Sequence, residues 1–132
     1  MQSGNYMSGY EAVAYVKKDI QRQFGESMRL EEEKSAWEHH GWFMLRFRYI
    51  PRFYTIYFEG EFNGFNIRIT KDDGAYIALA QLTDYSNNLT EMDLRNSIEE
   101  LKRVLKTEIA FYKIINGKRY QEINGGYKRI KR

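Results

Sequence analysis

Along residues 8 to 24 the apolar positions Val13, Val16, Ile20 and Phe24 recur at helical spacing, while Lys17, Lys18, Asp19 and Arg22 fall elsewhere. Ser8 and Glu11 have capping-box spacing, so each side chain can satisfy an orphan backbone N–H at a helix start, and Gly25 is placed to end the helix. The first element is therefore an amphipathic helix of about four turns. Residues 26 to 40 lose this period: Glu31, Glu32 and Glu33 stand in a row among few apolar residues, which reads as a loop or a short exposed helix. From Gly41 the period becomes two. Phe43, Leu45, Phe47 and Tyr49 alternate with Trp42, Met44, Arg46 and Arg48, and after Pro51 the alternation resumes at Tyr54, Ile56 and Phe58. A turn at Pro51 and Arg52 pairs Tyr49 with Tyr54 and Phe47 with Ile56, which puts both apolar sets on one face.

Asn63-Gly64 is the strongest hairpin signal, because a type I′ turn needs positive φ at both central residues. It pairs Phe62 with Phe65 and Phe58 with Ile69 on the core face, and Glu59 with Arg68 on the other. Asp72-Asp73-Gly74 leads to a fourth strand, Ala75 to Leu82, whose register depends on the loop. A three-residue loop turns Ile77 and Leu79 inward, and a two-residue loop turns Ala78 and Ala80 inward. Thr90 is an N-cap candidate with Asp93 three residues on. The stripe Leu94, Ile98, Leu101, Leu105, Ile109 and Tyr112 predicts a long second helix reaching Ile115, capped by Asn116-Gly117. The competing possibility ends that helix near Glu108 and makes Asn116-Gly117 the turn of a final hairpin. The expected fold class is α+β: an N-terminal helix, a four-stranded antiparallel meander, a long C-terminal helix and a basic tail, with both helices on one sheet face and the other face open.

At 132 residues the chain has room for a single domain, residues 1 to 132, with its core within about 8 to 117. Hydrophobic residues at 42% argue against disorder. With no cysteine there is no disulfide framework and no thiolate chemistry. No signal segment or membrane-length apolar run occurs, so a cytoplasmic location without membrane contact is expected. The net charge of +3 is unevenly spread. Residues 118 to 132 carry Lys118, Arg119, Lys128, Arg129, Lys131 and Arg132 against Glu122 alone, which leaves the body mildly acidic. Such a tail attracts a polyanion, although solvated basic tails are common too.

Candidate chemistry is concentrated on the open face, which by parity carries Trp42, Met44, Arg46, Arg48, Tyr57, Glu59 and Arg68. Arginines beside aromatics can hold phosphates and stack bases, or anchor a protein interface. They are also ordinary outward residues of a half-exposed sheet. Glu38-His39-His40 is the sole histidine cluster; adjacent histidines on a strand diverge, so it predicts no metal site. Glu31 to Glu33 is either a phosphate-mimicking patch or a solvated charge run. No nucleophile elbow, phosphate-cradling loop or carboxylate pair stands out, so no catalytic residue and no cofactor are predicted.

The segments His40-Gly41-Trp42-Phe43, Phe65-Asn66-Ile67-Arg68-Ile69 and Asn116-Gly117-Lys118 give a chain that resembles small inhibitor proteins of phages and mobile elements, of the anti-CRISPR and anti-restriction type. The resemblance covers layout over residues 40 to 132 and implies a non-enzymatic protein that occludes a nucleic-acid-processing protein or nucleoprotein complex. On that expectation Trp42, Arg46, Arg48, Tyr57 and Arg68 contact the partner. The alternative is direct DNA or RNA binding, with Lys128, Arg129, Lys131 and Arg132 on phosphates. A small metal-dependent hydrolase using His39 and His40 is the third possibility.

Overall fold

In a computed structural model describing residues 5–130, the sequence forms one eight-stranded antiparallel sheet whose strands lie in chain order, with two helices. Helix α1 spans Gly9–Phe24, and the Ser8 and Glu11 side chains close the expected capping box. It ends at Gly25, whose φ of 56° is in the left-handed region that glycine enters without a Cβ penalty. Strands β1 (Met28–Ala36), β2 (Trp42–Tyr49), β3 (Tyr54–Glu61) and β4 (Gly64–Thr70) follow, then the short β5 (Tyr76–Ala78). Helix α2 covers Glu91–Val104 with Thr90 as its N-cap, and β6 (Tyr112–Ile115), β7 (Lys118–Ile123) and β8 (Gly126–Arg129) complete the sheet.

The core is one cluster. Val13, Val16 and Ile20 of α1 and Leu94, Ile98 and Leu101 of α2 are buried with the inner faces of β2 to β5. Tyr49 pairs with Tyr54, Phe47 with Ile56 and Leu45 with Phe58, the register that apolar alternation predicts. Ile77 points inward, as the three-residue loop over 72–74 requires, but the strand expected over Ala75 to Leu82 ends at Ala78, and Leu79 is buried from a 3-10 turn over Leu79–Gln81. Both helices pack on this face, which leaves the other face of the central strands without a helix. Among the described residues no helix is long and apolar enough to cross a membrane.

The four-stranded meander with a long C-terminal helix is overturned in three places. Residues 28–36, expected as loop or helix, form edge strand β1, with Glu32 paired to Arg46 and a bulge between Leu30 and Glu32. Its acids suit an edge, where charge discourages further pairing and the neighbouring arginines compensate it. The second helix stops at Val104, and what was expected to be its last turns and a free basic tail form two hairpins. Asn116-Gly117 and Asn124-Gly125 both have positive φ at both residues, the type I′ requirement, so turn chemistry prevails over the apolar stripe. Ile109 and Phe111 remain buried, but from extended backbone. Lastly, the β3–β4 turn is centred on Phe62 and Asn63, so Phe58 faces Ile67 and Glu59 faces Asn66. The backbone beyond the turn is claimed by residues 87–89: Leu89 N–H donates to the Asn63 carbonyl (2.8 Å) and Phe65 N–H to that of Asn87 (3.1 Å). A register shift of two preserves the buried face, so burial does not oppose it.

Candidate functional site

The open face is arranged as alternation predicts. Trp42, Arg46, Arg48 and Tyr57 are half-buried on it and Arg68 is exposed, while Phe43, Leu45, Phe47, Ile56 and Phe58 face the helices. Two of its three arginines, however, are already paired, while Arg68 meets no carboxylate among the described residues. Arg46 meets Glu32 at 2.9 Å and Glu31 at 3.7 Å; Arg48 meets Asp72 at 3.1 Å and Glu31 at 3.8 Å, and also donates to the Phe53 carbonyl at 2.8 Å. The acidic run thus lies in strand β1 beside the arginines. Trp42 Nε1–H donates to Glu59 at 2.8 Å, and the Arg68 guanidinium lies 4.8 Å from the centroid of the Tyr57 ring, its cross-strand neighbour. The five residues expected to touch a partner are therefore brought onto one face, but an incoming phosphate at Arg46 or Arg48 must displace a carboxylate.

The C-terminal strands differ. We call β6 to β8 the arm, because it joins the larger sheet through a single pairing, Tyr76 with Tyr112. Since Tyr76 also faces Thr70, and Thr70 faces Thr55, Lys113 lies level with Tyr54 at the start of β3, and residues 114 and 115 run on past the end of the main sheet by about 7 Å at ~3.3 Å per residue. No part of either helix lies in the arm. Register places Arg119 and Lys128 on the same face as Ile114, and Lys118 and Arg129 on the face of Ile115 and Tyr120. Among the described residues none of these four cations has a carboxylate within ion-pair distance. Lys118, Lys128 and Arg129 are exposed; Arg119 is half-buried, its guanidinium 4.1 Å from the Tyr112 ring centroid and its Nε enclosed without a hydrogen-bond partner. Lys131 and Arg132 lie outside the described residues.

Side chains rather than backbone seat the arm. Lys71 pairs with Glu122 at 2.8 Å, and Asp73 meets Lys113 at 3.4 Å and accepts from the Tyr127 hydroxyl at 3.3 Å. Burial lowers the Lys71 pKa, but the hydrogen bond and charge of Glu122 outweigh it and leave the ammonium more basic than usual. Asp73 is held below its ordinary value, first by the backbone N–H of Ala75 and then, against partial burial, by Lys113.

The remaining sequence candidates scatter. His39 and His40 lie in the β1–β2 turn, and among the described residues no three His, Asp or Glu side chains converge as metal ligands. Sequence reasoning identified the charge of residues 118 to 129 and carried a final hairpin at Asn116-Gly117 only as the competing possibility, and it missed the second hairpin at Asn124-Gly125. The signal was present in the paired Asn-Gly steps at 116 and 124. No family model, curated protein sequence or solved structure matches the chain.

Proposed function

We propose that the protein is a non-enzymatic binding protein whose C-terminal arm contacts the phosphates of nucleic acid, free or within a nucleoprotein complex. The observation that supports this is the contrast in pairing: Arg46 and Arg48 spend their charge on Glu31, Glu32 and Asp72, whereas Lys118, Arg119, Lys128 and Arg129 meet no carboxylate among the described residues. Cations on both faces of a narrow, overhanging ribbon suit a groove between two phosphate rows, and a β-ribbon fits the duplex major groove. The lack of cysteine suits the reducing cytoplasm as the setting.

Replacing Lys118, Lys128 and Arg129 by glutamine tests the assignment. Each lost phosphate contact should flatten the dependence of log affinity on log salt by about 0.9 on duplex DNA, so the triple variant should lose roughly 2.7. The Arg46→Gln, Arg48→Gln pair should leave the slope unchanged. Equal slopes for wild type and the triple variant would remove the arm from the interface.

A second reading, occlusion of a nucleic-acid-processing protein, draws support from the exposed isoleucines. Ile114 is 53% and Ile123 50% exposed on one arm face, and aliphatic area is of more use against protein than against phosphate. It also accords with the inhibitor-like layout. Its expected signature is a protein captured after nuclease treatment by the wild type and lost with Ile114→Asp and Ile123→Asp.

A further inference from the structure

At the end of the sheet opposite the overhanging arm, four segments are tied together. Met7 N–H donates to the Leu89 carbonyl (2.7 Å), Leu89 N–H to that of Asn63 (2.8 Å), and Phe62 N–H to that of His40 (2.8 Å). Gly9 lies so close to Trp37 and the Gly41 carbonyl that a Cβ there would collide with both. This framework displays aromatic rings outward: Tyr10 is 70%, Phe62 64% and Trp37 41% exposed. Tyr10 and Trp37 meet edge to face at 6.1 Å, and His40 stacks on Phe62 at 4.1 Å.

His40 and Phe62 both hold left-handed backbone, with φ of 57° and 59°. A bulky aromatic is an outlier there, and the sequence offers Asn63-Gly64 one step later for a turn without that cost. Burial does not repay the strain, since Phe62 is mostly in water. The hydrogen bonds of this turn to residues 87–89 and His40 hold the conformation, and its result is that the Phe62 and His40 rings lie face to face on the surface.

The sign of the surroundings selects the occupant. Residues 6–11, 37–43, 59–66 and 87–90 contain Glu11, Glu38, Glu59 and Glu61 and neither lysine nor arginine. Glu11 is occupied by the helix cap and Glu59 by Trp42, which leaves Glu38 and Glu61 exposed at the rim. Aromatic faces attract guanidinium and ammonium groups, rim carboxylates strengthen that preference, and a polyanion is repelled. We infer that this aromatic end is a docking surface for a protein segment presenting arginine or lysine side chains. It is separate from the arm and stands whether or not the arm binds nucleic acid.

The test uses the full chain, whose tryptophans Trp37 and Trp42 both lie in these segments and report by fluorescence, titrated with a blocked hexa-arginine peptide and a hexaglutamate control. Saturable quenching by hexa-arginine alone is expected. Phe62→Asn should weaken it roughly threefold to tenfold, the size of one or two cation–π contacts. Because asparagine tolerates left-handed backbone, the thermal midpoint of that variant should hold or rise. Reversing Lys118, Lys128 and Arg129 to glutamate should change nothing in this assay, which separates it from the arm. Equal quenching by hexaglutamate, equal affinity of Phe62→Asn, or a lowered midpoint in that variant would each overturn the inference. So would concentration-dependent sedimentation of the wild type abolished by Phe62→Asn, which would assign the surface to a second copy of this chain.

Discussion

Arg46 and Arg48 lie two residues apart on β2, so their guanidinium groups share a face and a set of acids. Between Glu31, Glu32 and Asp72 they complete a chain of alternating charge that runs from the edge strand to the β4–β5 loop. An isolated exposed ion pair contributes little, but a network fixes its side chains once for several contacts. Reversing both to glutamate would bring five carboxylates together where two cations now separate three. The double variant should lose about 1–2 kcal/mol of stability, more than is usual for surface sites, as a cross-strand like-charge pair predicts. Adding Glu31→Lys and Glu32→Lys to it should restore much of that loss in a thermal melt. If the reversal proves neutral and the added lysines have no effect, the network is a decoration of the face.

At the level of elements, the hairpins of the arm depend on their turns. Asn116 and Gly117 have φ of 52° and 77°, and Asn124 and Gly125 of 47° and 83°. Valine in place of Gly117 and Gly125 would meet the β-branched penalty of positive φ and should loosen the arm while the body stays folded. Amide exchange should speed up across residues 112 to 129 and stay slow in β2 to β4, because one backbone pairing, two ion pairs and the Tyr127–Asp73 hydrogen bond are what join the arm's strands to the larger sheet. Loss of protection in both together would mean that the arm and body fold as one unit. The same elements explain what was legible beforehand. Period-two alternation with a buried face placed β2 to β4 and their outward side chains, and the capping residues Ser8 and Thr90 placed both helix starts. Edge strand β1 was obscured because an edge facing water needs few apolar residues. The arm was obscured because Ile109 and Tyr112 continue the helical stripe of α2 as readily as they enter a strand. Phe62 was misplaced for another reason: residues 87–89, distant in sequence, settle the β3–β4 turn. The pairing of Arg46 with Glu31 and Glu32 depended on β1, so the electrostatic state of the candidate face was hidden with it.

For the whole molecule, the net charge of +3 conceals a separation. The aromatic end carries carboxylates without lysine or arginine, whereas the four arm cations, which meet no carboxylate among the described residues, begin level with Thr70 at Lys128 and reach past the opposite end of the sheet at Lys118 and Arg119. Eight residues of strand and an overhang of two put the tip of the arm roughly 33 Å from the aromatic end at ~3.3 Å per residue. Such a distribution should turn the arm toward a polyanion before contact, an effect on association rate more than on the bound state. The range of that effect is set by salt: the Debye length is about 30 Å at 0.01 M and about 8 Å at 0.15 M. Glu38→Gln with Glu61→Gln should therefore speed association with duplex DNA by a modest factor, on the order of twofold, at 0.01 M salt, because the far end then repels less. Dissociation should be unchanged, and at 0.15 M the two proteins should associate alike. A stopped-flow series in salt measures both rates. If the variant still associates faster at 0.15 M, or dissociates more slowly, then Glu38 and Glu61 lie within about a Debye length of the bound DNA, and the arm cannot be the surface that carries it.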